Sequence, residues 1–319
     1  MGNRGNTPRM KVSVSIAAYN AEAFIAEAVA SILQQSLGDI EVIVVNDGST
    51  DATGAILVGY ADPRLRVVTM PANCGIATAH NVAMACATGE YFAVMDADDV
   101  ALPDRLHIQA QFMDAHPDVH IMGARIIRTH ADIASEIDRP QHPLTDGEIK
   151  ANLLLLNGSA LIHPTMMARM SFLRAKHLRY LPPPRGRVGI DHEFWIECVA
   201  RGAVFQSIPD VVLRKRRHSS NVTLFNNDPA TAALKSVSRA KLLGLYYPEL
   251  TRLEIGALAA LLDPGASLNV IEACQAVVVG EKAHGYGVSH YGESRPHLQA
   301  MIAAGMTRLI TPLAGLAKP

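Results

Sequence analysis

Asp96-Ala97-Asp98-Asp99 places three carboxylates within four residues, directly after the apolar run Tyr91 to Met95. Carboxylates this close repel one another, and gathering them is costly without a cation. A divalent metal removes that cost and can hold a diphosphate at the same time. Mn²⁺ or Mg²⁺ fits, each taking one or two carboxylates, phosphate oxygens and water. The plainer alternative is a solvated acidic turn leading into the helix after Pro103. A second cluster, Asn46-Asp47-Gly48-Ser49-Thr50-Asp51, also follows a buried apolar run. Asp47 can accept a hydrogen bond from a nucleobase N–H or a ribose hydroxyl. The alternative is an Asp-Gly turn followed by a Ser or Thr cap, and that reading holds for Gly48 and Thr50 in either case. A third cluster runs from Asn73 to Asn81 and puts Gly75 at a helix start, where free N–H groups suit an anion. It lacks the Gly-Lys-Ser/Thr ending of a P-loop and the G-x-G-x-x-G fingerprint.

These clusters need a scaffold, and the pattern of apolar residues supplies one. Val12, Val14 and Ile16 alternate with Lys11, Ser13 and Ser15, which predicts a half-buried strand. Asn20 is a plausible N-cap for a helix carrying Phe24, Ile25, Ala28, Val29, Ile32 and Leu33. Val42–Val45 predicts a strand buried on both faces. A helix over Thr50–Tyr60, a strand over Leu65–Thr69, a helix over Gly75–Ala87 and a strand over Tyr91–Met95 complete a βαβαβαβ order. That order implies an α/β fold with a mostly parallel central sheet flanked by helices. Ligands of such sheets collect at the carboxyl ends of the strands, where Tyr19-Asn20, Asn46–Gly48 and Asp96–Asp99 all fall.

From about residue 140 the rhythm changes. Prolines at 140, 143 and 182–184 mark loops, and a helix beginning near Asp191 carries Phe194, Trp195, Cys198 and Val199 on one side. Two short strands are expected, over Ala203–Ile208 and Val211–Arg216. Beyond about 228 the chain reads as helices rich in Ala and Leu. The second half is expected to extend the first sheet, so residues 11–128 and 129–225 form two halves of one domain, with 226–319 as a helical extension.

Together the clusters resemble family 2 glycosyltransferases of GT-A fold, closely over 11 to about 128 and more loosely to about 225. The matching stretches are Val14 to Asn20, Val44 to Asp51, Asn73 to Asn81 and Asp96 to Asp99. The resemblance implies that Ala17, Tyr19, Asn20 and Asp47 serve the nucleoside side of a nucleotide-sugar donor. Asn73, Gly75, His80, Asp96 and Arg216 join them, and Asp98 and His218 hold the metal. His163-Pro164-Thr165 resembles a motif near the acceptor side, with a strand end stopped by proline as the alternative. Gly189 to Trp195 resembles the segment that supplies the catalytic base, here Asp191, for which an N-cap is the structural alternative. Three departures stand out: His80 where arginine is common, Ile190 where glutamate precedes the base, and Lys215 where tyrosine is common.

The implied reaction is inverting transfer of a sugar, UDP-linked by expectation, to the hydroxyl of a carbohydrate or glycolipid acceptor in surface polysaccharide or glycolipid synthesis. Two rivals stay open at this point. A nucleotidyltransferase needs a glycine-rich, basic loop after the first strand, which is missing. A non-catalytic sugar-nucleotide binder or assembly subunit is kept open by the three departures. Composition narrows the partners. A formal net charge of −1 and 5% aromatic residues argue against nucleic acid. Four cysteines without metal-ligand or C-x-x-C spacing suggest free thiols in a reducing compartment. The polar first ten residues and the lack of a spanning apolar run suggest a cytoplasmic protein, with peripheral membrane contact and homo-oligomers both compatible.

Overall fold

A computed structural model describes residues 10–156, 158, 160–181, 189–218, 229–263, 265–285 and 295–316. The chain divides into two compact units, Met1–His142 with Leu161–Leu224, and Pro143–Ala160 with Phe225–Pro319. Residues 143–160, expected in the acceptor-side half, therefore cluster with the C-terminal helices.

The first unit is built on a nine-stranded sheet. Its strands are β1 (Val12–Ala18), β2 (Ile40–Asn46), β3 (Leu65–Thr69), β4 (Tyr91–Asp96), β5 (Val100–Ala101), β6 (Ile121–Thr129), β7 (Glu136–Asp138), β8 (Met167–Arg169) and β9 (Phe205–Arg216). They lie in the order β3-β2-β1-β4-β8-β6-β9-β5, with β7 on β6. β1 to β4 are mutually parallel. β8 is antiparallel to both β4 and β6, and β6 is parallel to β9. Two reversals cancel, so β6 and β9 run the same way as β4. The carboxyl ends of β1, β2, β4 and β9 thus share one edge, and that is what assembles the site.

The flanking helices of this unit are α1 (Ile25–Leu33), α2 (Thr53–Val58), α3 (Ile76–Cys86), α4 (Arg105–Ala115), α6 (Met170–Ala175) and α7 (Ile190–Ala200). α1 buries Ile25, Ala28, Val29 and Ile32, the spacing of one helical face. Several local expectations need correction. β1 is buried on both faces, because Ser13 and Ser15 are enclosed along with the valines. Ser13 Oγ donates to Glu41 and accepts from the Gly89 amide at 2.8 Å, and Ser15 Oγ pairs with His80, so neither hydroxyl needs water. Asn20 caps no helix. It adopts φ 49°, and its Oδ1 accepts from the Thr50 amide at 2.9 Å. α2 starts three residues after Thr50, and Asp51 rather than Thr50 receives the Thr53 amide. β9 is one twelve-residue strand, not two, and absorbs extra residues in register shifts opposite Ala124–Ile126. His163–Thr165 is a 3₁₀ turn before β8 rather than a strand end.

The second unit holds α5 (Asp146–Asn152), α8 (Pro229–Tyr246), α9 (Arg252–Leu261), α10 (Val270–Gly285) and α11 (Arg295–Leu316). Thr145 with Glu148 and Thr251 with Glu254 form reciprocal caps at the starts of α5 and α9. Arg239 Nε donates to the Leu154 carbonyl at 3.0 Å, and Tyr246 Oη to that of Lys150 at 2.7 Å. Gly280 and Gly305 let α10 and α11 approach Leu261 closely. Among the described residues no helix is long and apolar enough to cross a membrane.

Candidate active site

The residues expected on the nucleoside side lie where β1 and β2 end. Ala17 is partly covered, and Tyr19 is 49% exposed just beyond the strand. Asp47 is buried. Its Oδ1 accepts from the Cys74 amide and its Oδ2 from the Gly75 amide, both at 2.8 Å. The carboxylate therefore shapes the loop carrying Asn73, and the Gly75 N–H expected to await an anion already has a partner. Gly48 is required here: at φ +68° a Cβ would come within 2.4 Å of the Ala72 backbone. Gly75, at φ +88°, starts α3 with open space around it.

His80 faces inward. It is fully buried, with Nδ1 2.9 Å from Ser15 Oγ, and no polar partner reaches its Nε2. Burial, with a smaller contribution from His163, pushes its pKa down to about 3, so the ring is neutral at any working pH. A charged contact with phosphate is therefore closed to it. Around it lie Tyr180, its ring centre 5.2 Å away, and His163, 5.4 Å away. His163 Nε2 is 2.8 Å from Tyr180 Oη.

The acidic turn leaves β4 and meets the end of β9. Lys215 Nζ lies 2.8 Å from Asp96 Oδ2 and 3.6 Å from Asp99 Oδ2. His218 Nε2 lies 2.9 Å from Asp98 Oδ2. Burial pushes the Asp96 carboxyl up, but the Lys215 ammonium and smaller contributions outweigh it, leaving the pKa lowered. Asp99 behaves oppositely. Burial dominates and raises its pKa to about 8, against the pull of Lys215. Burial also works against the Lys215 charge, yet Asp96 and Asp99 outweigh it and hold the ammonium above its ordinary value. Ligand atoms of Asp96, Asp98 and Asp99 lie within 4.8 Å of one another. Asp98 and His218 present an oxygen and a nitrogen donor side by side, a set that fits Mn²⁺, whereas Mg²⁺ would rest on the carboxylate oxygens alone. Asp99 points inward and takes the Arg216 amide at 2.9 Å.

Arg216 braces this turn. Nε donates to the Asp98 carbonyl at 2.8 Å, one terminal nitrogen to the Ala131 carbonyl, and the other pairs with Glu27 at 2.5 Å. The guanidinium also lies over the Phe24 ring. Lys215 and Arg216 thus lie on a strand paired on both sides, with the lysine facing the acidic turn and the arginine paired with Glu27.

Asp191, the residue expected to act as base, is the second residue of α7 and half-buried, with Gly189 rather than Asp191 in the capping position. Its Oδ1 accepts from the His192 amide at 2.9 Å. A Cβ on Gly189 would lie 2.3 Å from that same oxygen, so glycine leaves the carboxylate its position. α7 is anchored by Phe194, Trp195, Cys198 and Val199, all buried, with Phe194 stacked 4.2 Å from Tyr180. Asp191 and Asp96 both act electrostatically on His163. The motif reading passed over two contributors. Tyr180 joins the rings to Asn81 through paired amide bonds of 2.8 Å. Lys215 stood out only as a departure, although a lysine at a strand end facing an acidic cluster is itself a signal.

The family model for glycosyl transferase family 2 matches residues 13–175, more than half of the 319. The chain belongs to glycosyl transferase family 2. This glycosyltransferase is 29% identical over 246 residues to an uncharacterized glycosyltransferase of Haemophilus influenzae, the match covering 74% of each chain. It is 34% identical over 158 residues to the succinoglycan biosynthesis protein ExoO of Rhizobium meliloti, covering 50% of this chain and 43% of that one. Among solved structures, TarS of S. aureus, crystallised as residues 1–349 with UDP-GlcNAc, aligns with a TM-score of 0.58 at 18% identity, covering 94% of this chain and 90% of that one. The mannosyltransferase PcManGT of Pyrobaculum calidifontis, with GDP-Man and Mn²⁺, aligns with a TM-score of 0.52 at 20% identity, covering 95% and 88%. The fold of the family 2 enzyme is thus the GT-A type expected. Membership removes the nucleotidyltransferase and non-catalytic readings.

Proposed function

We propose that this glycosyltransferase transfers a sugar from a nucleoside-diphosphate sugar, UDP-linked, to an acceptor hydroxyl with inversion at the anomeric carbon. The observation that carries this reading is the convergence of Asp98 and His218 at the edge where β1 and β2 also end. TarS with UDP-GlcNAc and PcManGT with GDP-Man and Mn²⁺ support it by analogy. The names of the succinoglycan biosynthesis protein ExoO and of TuaG, a putative teichuronic acid biosynthesis glycosyltransferase of Bacillus subtilis, support a place in polysaccharide synthesis. A glycolipid acceptor would bring the enzyme to a membrane surface.

In this reading Tyr19 offers its exposed ring to the base, and Asp47 holds the Asn73–Gly75 loop against the nucleoside. Asp98 and His218 hold the metal, which when bound supplies Lewis-acid stabilisation of the leaving diphosphate. Asp96 faces the sugar-phosphate. Arg216 keeps the acidic turn in place rather than touching the donor. Asp191 takes the proton of the acceptor hydroxyl as it attacks. A single base opposite the leaving group makes the displacement direct, hence inverting.

The test is a donor screen with Mn²⁺ that follows nucleoside diphosphate release, with the anomeric configuration of the product read by NMR. Asp191→Asn should bind donor normally and lose roughly 10²–10⁴ in kcat. Near-wild-type turnover would assign the proton to another group, and a retained configuration would overturn inversion.

A further inference from the structure

Lys215 stands in the acidic turn as a cation already present. Its Nζ is 2.8 Å from Asp96 and 3.6 Å from Asp99, while His218 occupies Asp98 from the neighbouring side. The ammonium has three N–H donors and no lone pair, so it can balance carboxylates but never ligate a metal. Its stem leaves β9, which pairs with β6 through Lys215 and Arg216, so the charge is tethered and does not diffuse away. A divalent ion arriving alone at Asp98 and His218 meets a turn whose negative charge is partly cancelled, and a like charge a few ångströms away. An ion arriving with a nucleoside diphosphate meets something different. The phosphate oxygens give the ammonium a new partner and shield the two cations from each other.

We propose that Lys215 is a resident counter-cation that makes metal binding depend on the nucleoside diphosphate. It sits on Asp96 in the free enzyme and on a phosphate oxygen when donor and metal are bound. The proposal rests on the reading of Asp98 and His218 as metal ligands and goes beyond it by assigning the coupling between metal and donor. The coupling is reciprocal, so the metal must tighten nucleotide by the factor by which nucleotide tightens metal.

Mn²⁺ affinity, measured from the electron paramagnetic resonance signal of the free ion, tests this with and without UDP. Wild type should bind Mn²⁺ at least about tenfold more tightly with UDP than without. Lys215→Met should bind Mn²⁺ alone at least about tenfold more tightly than wild type, and the gain from UDP should shrink to match. Lys215→Arg, which keeps the charge, should behave as wild type does. Lys215→Gln serves the same purpose if the methionine variant does not fold. Equal Mn²⁺ affinity in wild type and the neutral variants, with both binding in UDP, overturns the role of Lys215 and leaves the metal reading intact. So does wild type binding Mn²⁺ equally with and without UDP. Binding by no form even with UDP, or binding that Asp98→Asn leaves unchanged, overturns the metal reading and the proposal together.

Discussion

His80 is the family departure whose consequence can be measured without substrate. Its ring is neutral when folded, with the pKa lowered from 6.5 to about 3, first by burial and then by His163. A base whose folded pKa is depressed contributes stability above its unfolded value and loses it as pH falls toward the folded value. Here the window runs from about pH 6.5 down to about 3. Between pH 6.5 and pH 5 the loss should be about 1–2 kcal/mol, the slope rising from half of about 1.36 kcal/mol per pH unit at pH 6.5 to nearly all of it at pH 5. His80→Gln keeps a partner for Ser15 and removes the titration, so its urea-unfolding free energy should fall less steeply over that interval. Parallel curves would mean that another buried group, His163 foremost, carries the acid sensitivity. Asp98→Asn belongs to the same scale. It should lose Mn²⁺ binding and turnover together while the circular dichroism spectrum is retained. Full turnover of wild type in excess chelator would remove the metal from the reaction.

At the level of elements, β2 and β4 were legible close to their observed bounds because they are buried on both sides and their apolar runs have few other uses. β3, an edge strand with no fully buried residue, was placed at its observed bounds. The helix starts were not legible in the same way. Asn20 and Thr50 are good capping types, but they bond each other across two loops. Ala21 donates to Thr53, Glu22 to Asp51 and Ala52 to Glu22 in the same mesh. Single-sequence capping rules look along the chain and miss polar partners some 30 residues away. β9 was read as two strands because Pro209 and Asp210 look like a break, whereas register shifts against β6 absorb them. Tyr19, Asp47 and Asp96–Asp99 stood out as candidates because each follows a strand end; the lysine that pairs with Asp96 did not, since it lies on a strand more than a hundred residues later. Gly189→Ala tests one such element. Its Cβ would drive the Asp191 carboxylate to another rotamer, a small demand on stability because only a side-chain end must move. The variant should keep its melting temperature and donor affinity and lose kcat by roughly tenfold or more. Unchanged kcat would show that Asp191 needs no such placement.

Across the whole molecule, the reversal of β8 and its cancellation at β6 decide that late segments reach the same edge as early ones. The second unit depends on close helix contacts instead. Gly305→Val would bring a side chain against the Leu261 carbonyl, 2.8 Å from the Cβ position, at a cost of about 1–3 kcal/mol. Gly256 in α9 has open space around it, and Gly256→Ala should stabilise by roughly 0.5–1 kcal/mol. Hydrogen exchange of α9–α11 amides should report both, with opposite signs, and equal protection would show that the helices tolerate separation. The strand order carries a further consequence for the way the protein is made. β9 lies between β6 and β5, both synthesised before it, and Lys215 follows Asp96 by 119 residues. At roughly 5–20 residues per second, the ribosome leaves the acidic turn without its lysine for about 6–24 s. During that interval the last large strand has yet to be threaded into its gap. A nascent chain can pair β1 to β4, but its three carboxylates must stay in water, unburied, until the lysine emerges.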